Sequence, residues 1–539
     1  MPGLEAQEVF RIFESMKGRR ANWENHWQEV SDLICPDRQF VGKVTAGEKR
    51  TSRIFDSTAI TEHGRLASAL SGLLTNPSLV WFFLTTGVEE LDEDEDVRDW
   101  LWRVGRVILG IFNSPQVGFY QSSAEVYMDL VGYGTGVMHV KSSSGSALRM
   151  KSLHLSQCYI EENSDGMVDT LGYSFVYTAA QALHEFGMDK LPEKIKKSLE
   201  AKQFNDEFSF AQIVLPRHVR DVFRKDRANM AWASYVICTE PGYIVSESGF
   251  REFPFVCPRW KKMSGEVYGR APGMDVLPSV KMANSIARTI LVSAEKVCDP
   301  PLQMPDDGFI SPLATYPGGI NYYRSGSRDR VEPLYTGARF DVSENELMRH
   351  QDAIRRGFFS DLFHLPQSDR MTATEVLQRQ KEQMQLLNPI VGRLISEFLG
   401  PMISRTFHYA VESGMIPDAP EELRGRQMTV QYTSPLAQSQ KASEATNFTQ
   451  FIAVMAPLVE SDPTIMSHID PDKAVHWARG MYNLPPIFRK QAEVTAMREA
   501  QQQAAQEQQQ AAVAAEQAKA IKDVSLSAEP IQTLTETLI

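Results

Sequence analysis

Apolar side chains return every three or four positions along the first thirty residues. Val9, Phe10, Ile12, Phe13 and Met16 mark one face, and Trp23, Trp27, Val30 and Ile34 continue it up to Pro36, so the spacing predicts a helix over 4–34. The same period predicts helices over 57–75, stopped by Asn76-Pro77, over 97–113 and near 119–132. The pattern then changes. VMHVKS, LRMKSLHL, CYIEEN and VDTLGYSFVY carry β-branched and aromatic residues around an Asn163-Ser-Asp-Gly166 turn, which predicts a small antiparallel sheet over 136–178. Two short helices (179–187 and 191–202) and strands near 211–223, 231–239 and 242–247 complete an α+β region.

Helical spacing returns at 276–297, where Val280, Ala283, Ala287, Ile290, Leu291, Ala294 and Val297 line one stripe. Asp275 is placed to cap it, with Pro278 in its first turn, and Asp299-Pro300-Pro301 ends it. A Pro- and Gly-rich excursion over 298–342, with strand-like NYYR and RVEPLY, separates this helix from a second at 343–357. A loop over 358–371 follows. Thr372 and Glu375 then form a capping box, the hydroxyl accepting an orphan amide while the carboxylate reaches back to the cap. From there to Asn388 no Gly or Pro interrupts a rod on the order of 25 Å long. Pro389 and Gly400-Pro401 are expected to bend it and Gly414 to end it. MTVQYTS (428–434) reads as a strand, 436–495 as mostly helical, 496–520 as an Ala/Gln helix whose stripe is too weak to bury alone, and 523–539 as disordered. The fold class is α+β, predominantly α-helical.

Composition narrows the functional classes. The 539 residues carry a net charge of −12, without the basic surplus of a protein that holds nucleic acid by phosphate contacts, so any DNA contact is expected to be local. Five cysteines, Cys35, Cys158, Cys238, Cys257 and Cys298, stand far apart with no C-x-x-C, which points to buried free thiols and not to a disulfide scaffold or zinc ribbon. The N-terminus lacks the basic and apolar regions of a signal peptide, and no stretch reaches the length of a membrane span. EELDEDED (89–96) holds seven acids in eight residues; it suits the start of the following helix better than a cation site. VGKVTAGEKR has the glycine gap of a phosphate loop at Gly42 and Gly47, but Glu48 and Arg50 replace its Lys and Ser/Thr, and a flexible basic loop is the plain reading. There is no G-x-x-x-x-G-K-[ST], G-x-S-x-G or H-E-x-x-H, and the histidines are scattered, so no catalytic residue, metal ligand or cofactor is expected.

Four stretches carry a resemblance by their order and spacing: NWENHWQEVSDLICPDR (22–38), SRIFDSTAITEHGRLASALSGLLTNPSLVWFFL (52–84), VYGRAPGMDVLPSVKMAN (267–284) and RMTATEVLQRQKEQMQLLNPIVGRLISEFLGPMISR (370–405), with YTSPLAQSQ (432–440) behind them. The chain resembles the portal, or head-to-tail connector, proteins of tailed bacteriophages, those of short-tailed, T7-like phages in particular. The resemblance implies a portal fold of wing, stem, clip and crown assembled as a dodecameric ring. On this sequence the wing would be 1–275, the stem helices 276–297 and 343–357, the clip 298–342, and the channel loop 358–371. A kinked wing helix with its return strand would occupy 372–435, the crown 436–495, a candidate barrel helix 496–522 and a tail 523–539. It implies a non-enzymatic conduit at the capsid vertex that nucleates procapsid assembly. Double-stranded DNA would pass through it. Its partners would be a large terminase, then a tail adaptor, with major capsid and scaffolding proteins around it and internal core proteins beside it. It implies a place in the virion after assembly in the host cytoplasm, and no membrane. Another ring or adaptor of the head–tail junction, and a terminase-like enzyme, are the alternatives.

Elementary geometry admits the ring. Twelve helices about 10 Å thick, side by side, put their axes on a circle roughly 38 Å across and leave a bore of roughly 28 Å, wider than a duplex of roughly 20 Å. Lys281, Arg288, Arg355, Arg356 and Arg370 are the candidates for DNA contact, against the plain reading that they pair with acids. Phe358, Phe359, Leu362, Phe363 and His364 are the channel-loop candidates, with packing anchors the better reading for the aromatic ones.

Overall fold

The computed structural model describes residues 5–38, 40, 49–143, 146–221, 223–224, 226–240, 242–303, 313–316, 319–322, 332–334, 340–362, 387–423, 429–432, 448–455, 457, 474 and 491–527. The chain divides into two compact units. One comprises Met1–Thr85, Arg103–Asp418 and Gln427–Ser439, and the other Thr86–Trp102, Ala419–Arg426 and Gln440–Ile539. Helix outweighs strand among the described residues, in a mixed α+β architecture.

The first unit is built on a five-stranded antiparallel meander: β4 (Cys158–Glu162), β5 (Val168–Thr178), β6 (Glu207–Pro216), β7 (Trp232–Cys238) and β8 (Tyr243–Phe250), hydrogen-bonded in chain order. Alternation of side chains gives the sheet two faces, and both are covered. Helix α1 (Ala6–Leu33) lays Val9, Phe13 and Met16 on Tyr159, Ala211, Ile213, Ala233, Tyr235 and Ile237. On the other face α6 (Ala179–Phe186) and α7 (Glu193–Glu200) bury Ala179, Ala182, Ile195 and Leu199 against Phe208, Phe210 and Val245. The expected sheet over 136–178 is in fact two. Strands β2 (Val137–Ser143) and β3 (Ser146–Leu153) pair with β9 (Phe255–Val256), whereas β4 and β5 belong to the meander. The chain changes sheet at a 3-10 turn, Leu155–Gln157, whose amide at Ser156 is capped by His154 Nδ1.

Helix α5 (Phe119–Tyr133) buries two-thirds of its residues and packs against α2 (Thr58–Leu74), α1 and α8 (Pro272–Cys298). It ends at Gly134, φ +82°, where a Cβ would lie 2.3 Å from the Gly269 carbonyl oxygen, and a Cβ on Gly269 would lie 2.2 Å from that of Gly134. The two backbones cross in contact, which requires glycine on both sides. Strand β1 (Phe82–Thr85), the WFFL run, pairs antiparallel with the return strand β12 (Thr429–Tyr432). Trp81, Phe112 and Phe119 stack beside it, with Phe82 of the strand edge-on to Trp81.

The bent rod is visible from Leu387. Residues 387–394 are helical through Pro389, and the break comes later: a π turn at Ile395–Leu399 leads directly into the helix Gly400–Glu412. Pro401 has no amide to give, and the ladder skips a residue just before it, the Gly400 N–H reaching Ile395 O. Gly414, φ +65°, ends the helix in a Schellman closure, Met415 N–H to Ala410 O at 2.9 Å and Gly414 N–H to Val411 O at 3.1 Å.

In the second unit the acidic run is itself structured. Glu89–Glu93 makes a short helix, α3. Asp92 Oδ1 accepts from the Thr86 amide and hydroxyl, both at 2.8 Å, and Asp94 Oδ1 caps the amides of Asp96 and Val97 at the start of α4 (Glu95–Asn113). The Ala/Gln stretch is one helix, Gln491–Ser527, longer at both ends than its periodicity indicates and continuing into residues expected to be disordered. Four cysteines are buried free thiols; Cys298 is exposed, against expectation, because α8 has left the body by that point. No helix is long and apolar enough to cross a membrane among the described residues.

Candidate functional site

Helices α8 and α9 (Phe340–Gly357) pack side by side, and the chain between them closes at its base through β10 (Leu302–Gln303) and β11 (Glu332–Pro333), paired antiparallel. Helix α8 starts at Pro272, four residues earlier than the sequence suggests. Pro272 supplies the first-turn proline, Asp275 lies inside the first turn without capping, and Pro278 sits in the helix interior. Asn321 and Tyr322 are not strand; Asn321 bonds both the amide and the carbonyl of Ala314 and closes a local turn.

The pair is rooted in the body at one end. Pro272, Met274, Val276, Leu277, Val280 and Ala283 are buried, and beyond Ala283 the helix emerges. Asn284 stands at that point as a clamp. Its Oδ1 accepts from the amides of Phe55 (2.6 Å) and Asp56 (3.3 Å), and its Nδ2 donates to Arg53 O (3.1 Å). Gln351 on α9 reaches Asp56 from the other helix. The end of α9 is fixed as tightly. A Cβ on Gly357 would lie 2.1 Å from Val276 Cγ1, so the helices close on each other there. Phe358 is fully buried, its ring edge-on to His63, and Phe359 takes φ +57°, the left-handed region, beside Trp260. Ser360 donates to the buried Glu62 carboxylate, which Arg65 also holds. The turn leaving the pillars is thus pinned by a ring, a strained backbone and a charged acceptor.

Of the candidate DNA contacts, Lys281 Nζ lies 2.8 Å from Glu29 Oε1 on α1, Arg288 stacks over the Phe55 ring at 5.8 Å, and Arg355 pairs with Asp352 at 2.8 Å within its own helix. Arg356 is exposed in the last turn of α9. Leu362 ends the 3-10 turn Ser360–Leu362. Phe363, His364, Arg370, Thr372 and Glu375, and with them the capping box, lie outside the described residues, as do 41–48 of the basic loop.

Sequence reasoning missed the body's polar hub. Arg259 is buried, with every nitrogen of its guanidinium engaged: Nε and Nη2 on Glu397 (3.1 and 2.8 Å), Nη1 on Glu162 (2.8 Å) and Val267 O (3.2 Å), Nη2 also on Gly166 O (2.8 Å). Lys262 adds to Glu162 at 2.7 Å and Arg393 to Glu397 at 3.1 Å. Burial works to lower the Arg259 pKa, but the two carboxylates outweigh it and hold it above the usual value. Burial likewise works to raise Glu162, and Lys262 and Arg259 bring it below. Glu397 sits in the π turn, so the extra residue of that turn is where the rod meets this hub. No periodicity marks Arg259; its only sequence signal is a charge amid the apolar FPFVCPRW run.

Among the described residues no three His, Cys, Asp or Glu side chains converge as metal ligands. The Cys35–His63 approach, 3.4 Å, is structural: His63 Nε2 also meets Met128 O at 2.9 Å, and burial pushes the thiol far up.

The model of the family described as bacteriophage head to tail connecting protein matches residues 6–488. The chain is 29% identical over 529 residues to a probable portal protein of Bordetella phage BPP-1, covering 95% of each. It is 27% identical over 546 residues to the portal protein of Salmonella phage epsilon15, covering 98% of this chain and 97% of that one. A chain from the virion of a native gene transfer agent particle superposes with a TM-score of 0.38 at 9% identity, over 79% of this chain and 95% of that one. None of these matches is to an enzyme family. Matched along nine-tenths of its length, the chain belongs to the bacteriophage head-to-tail connecting proteins and is a portal protein of the phage head–tail connector.

Proposed function

We propose that copies of this chain close into a dodecameric ring whose bore admits double-stranded DNA, with α8 and α9 as its pillars, 298–342 as the clip at their far end and 358–371 as the channel loop. The observation that carries this is the state of the pillars. Met282, Leu291, Val292 and Val297 on α8 and Met348 on α9 are large apolar side chains standing exposed on a single chain. Neighbouring pillars in a closed ring would cover them, as a heterologous contact between identical subunits requires. On this reading Arg356 and Arg370, at and beyond the foot of α9, are the DNA contacts, while Lys281, Arg288 and Arg355 are engaged by Glu29, Phe55 and Asp352. Phe358 and Phe359 anchor the channel loop, and Leu362, Phe363 and His364 continue it.

The activity is passage of the genome during packaging and ejection, without catalysis or cofactor. A large terminase docks at the clip first and a tail adaptor afterwards, and capsid and scaffolding proteins assemble around the ring in the host cytoplasm, with internal core proteins at its inner end. The connector is of the short-tailed, T7-like kind. Mass photometry of the purified chain tests the ring: twelve copies of 60.7 kDa give particles of roughly 730 kDa, with a bore that passes a duplex in reconstructed images. Monomers at every concentration overturn it.

A further inference from the structure

The connection between β6 and β7, residues 217–231, carries an exposed phenylalanine at mid-length. Phe223 is 96% exposed. The loop that carries it is framed. Arg217 N–H bonds Ala231 O at 2.8 Å, and its guanidinium reaches Glu247 on β8 at 3.2 Å. Asp221 Oδ1 accepts from the Phe223 amide at 3.0 Å. Asn229 accepts from the Asp221 amide at 3.1 Å and donates to Asp226 at 2.5 Å. The frame lies directly on β8, where a Cβ on Gly249 would be 2.2 Å from Arg227 O. A chain that brackets the described residues of this loop with these bonds and leaves an aromatic ring in water offers apolar area of the kind that anchors interfaces.

The charge around the ring indicates what it meets. Residues 217–227 hold five basic and two acidic side chains in a chain of net charge −12. Both acids are occupied within the frame, Asp221 by the Phe223 amide and Arg224, and Asp226 by Asn229. Arg220, Arg224 and Arg227 remain exposed around Phe223. One ring between arginines is the composition of a protein hot spot. Single-strand binding uses a row of aromatic rings for successive bases, and this loop offers one.

We propose that this loop is a docking knob for a second protein of the particle, with Phe223 entering an apolar pocket and Arg220 and Arg224 meeting carboxylates at its rim.

The full chain with Phe223→p-benzoylphenylalanine, assembled into phage particles and irradiated, tests it. The expected product is one cross-linked peptide from another virion protein, with more Asp and Glu than Lys and Arg. Adding Arg220→Glu and Arg224→Glu is expected to lower its yield about tenfold or more, while the melting temperature and the mass of the purified assembly stay unchanged. Cross-links to DNA, to this chain itself or to a basic peptide, a yield indifferent to the charge reversals, or no cross-link at all would each overturn the proposal. The assembly's mass is read separately, so loss of the ring and loss of the knob are distinguishable.

Discussion

The meander with its covering helices and the pillar pair belong to the same compact unit, yet they are finished to different degrees. Both faces of the five-stranded sheet are buried by the chain itself, and the buried Arg259 that ties β4, the 259–267 segment and the π turn together has every nitrogen bonded. The pillars are buried only at their root. Past Ala283 the helix α8 keeps Leu291 at 49% and Val297 at 57% exposure. A lone chain therefore holds a complete core and an incomplete pair of helices, and substitutions in the two regions are expected to act on different quantities: chain stability in one, assembly in the other.

The largest effect is expected at the hub. Arg259→Ala removes the buried common partner of two half-buried carboxylates, Glu162 and Glu397; Lys262 and Arg393 stay on them, so the cost is expected at the lower end of the about 3–5 kcal/mol for breaking a buried pair. Urea unfolding of the purified chain measures it. Arg259→Lys is expected to recover only a part, because an ammonium cannot span both carboxylates and two carbonyls. A loss under about 1 kcal/mol would place the hub with surface ion pairs and weaken the contrast. Next comes the crossing of Gly134 and Gly269. Gly269→Ala drives a methyl into a backbone carbonyl and is expected to cost about 1–3 kcal/mol, read as a lower melting temperature. Gly414→Ala, in open space but at positive φ, is expected to cost about 1 kcal/mol.

Acid acts on the body through histidines. Burial holds His139 near 3 and His154 near 4, both neutral in the folded chain, with Arg405 beside the first and Arg38 beside the second adding to the shift. A depressed histidine gives stability that is full above its unfolded value of 6.5 and is lost as pH falls toward the folded value. Between pH 6.5 and pH 5 each therefore contributes a loss of at most about 2 kcal/mol. Asp129 works in the opposite sense: burial lifts it to about 6 against the pull of Arg38, so its contribution is present at low pH and lost as pH rises through that value. Denaturation midpoints at pH 7 and pH 5 check the sum, and His139→Gln is expected to flatten the acid limb.

What the sequence discloses follows the same division. Elements with a strong period were legible almost to the residue: 4–34 is α1 at Ala6–Leu33, 57–75 is α2 at Thr58–Leu74, and Gly414 stops its helix. Phe358, for which a packing anchor is the better reading, is fully buried. Tertiary choices were not legible. Nothing in VMHVKS or CYIEEN says that one joins Phe255–Val256 and the other Val168–Thr178, because pairing depends on where the 154–157 turn sends the chain. Of the two bends expected, the helix continues through Pro389 and breaks at the π turn just before Gly400-Pro401, where Glu397 meets Arg259, a partner no local signal names. The plain reading of Lys281 and Arg288 is pairing with acids, but their partners cannot be named from sequence, because Glu29 and Phe55 lie more than two hundred residues earlier and leave no local mark.

The smallest effect on the chain is expected where the effect on assembly is greatest. Leu291→Ser with Val297→Ser replaces two half-exposed apolar side chains by hydroxyls on a helix face that the chain itself does not cover. Surface exchanges of this kind alter the stability of the fold by about 0.5 kcal/mol or less, so the urea midpoint of the dissociated chain should match the parent. In a ring each substituted residue recurs at every seam, and losing the burial of a Leu or Val side chain costs about 1.5–3 kcal/mol per contact. A dilution series followed by mass photometry should therefore show the large particle of the parent giving way to monomers in the variant at concentrations where the parent stays closed. If the variant ring persists to the same dilution, α8 faces the bore or the outside with its apolar side and the seam runs elsewhere. If the variant chain itself unfolds early, Leu291 and Val297 belong to the body's core after all, and the distinction between a finished body and unfinished pillars fails.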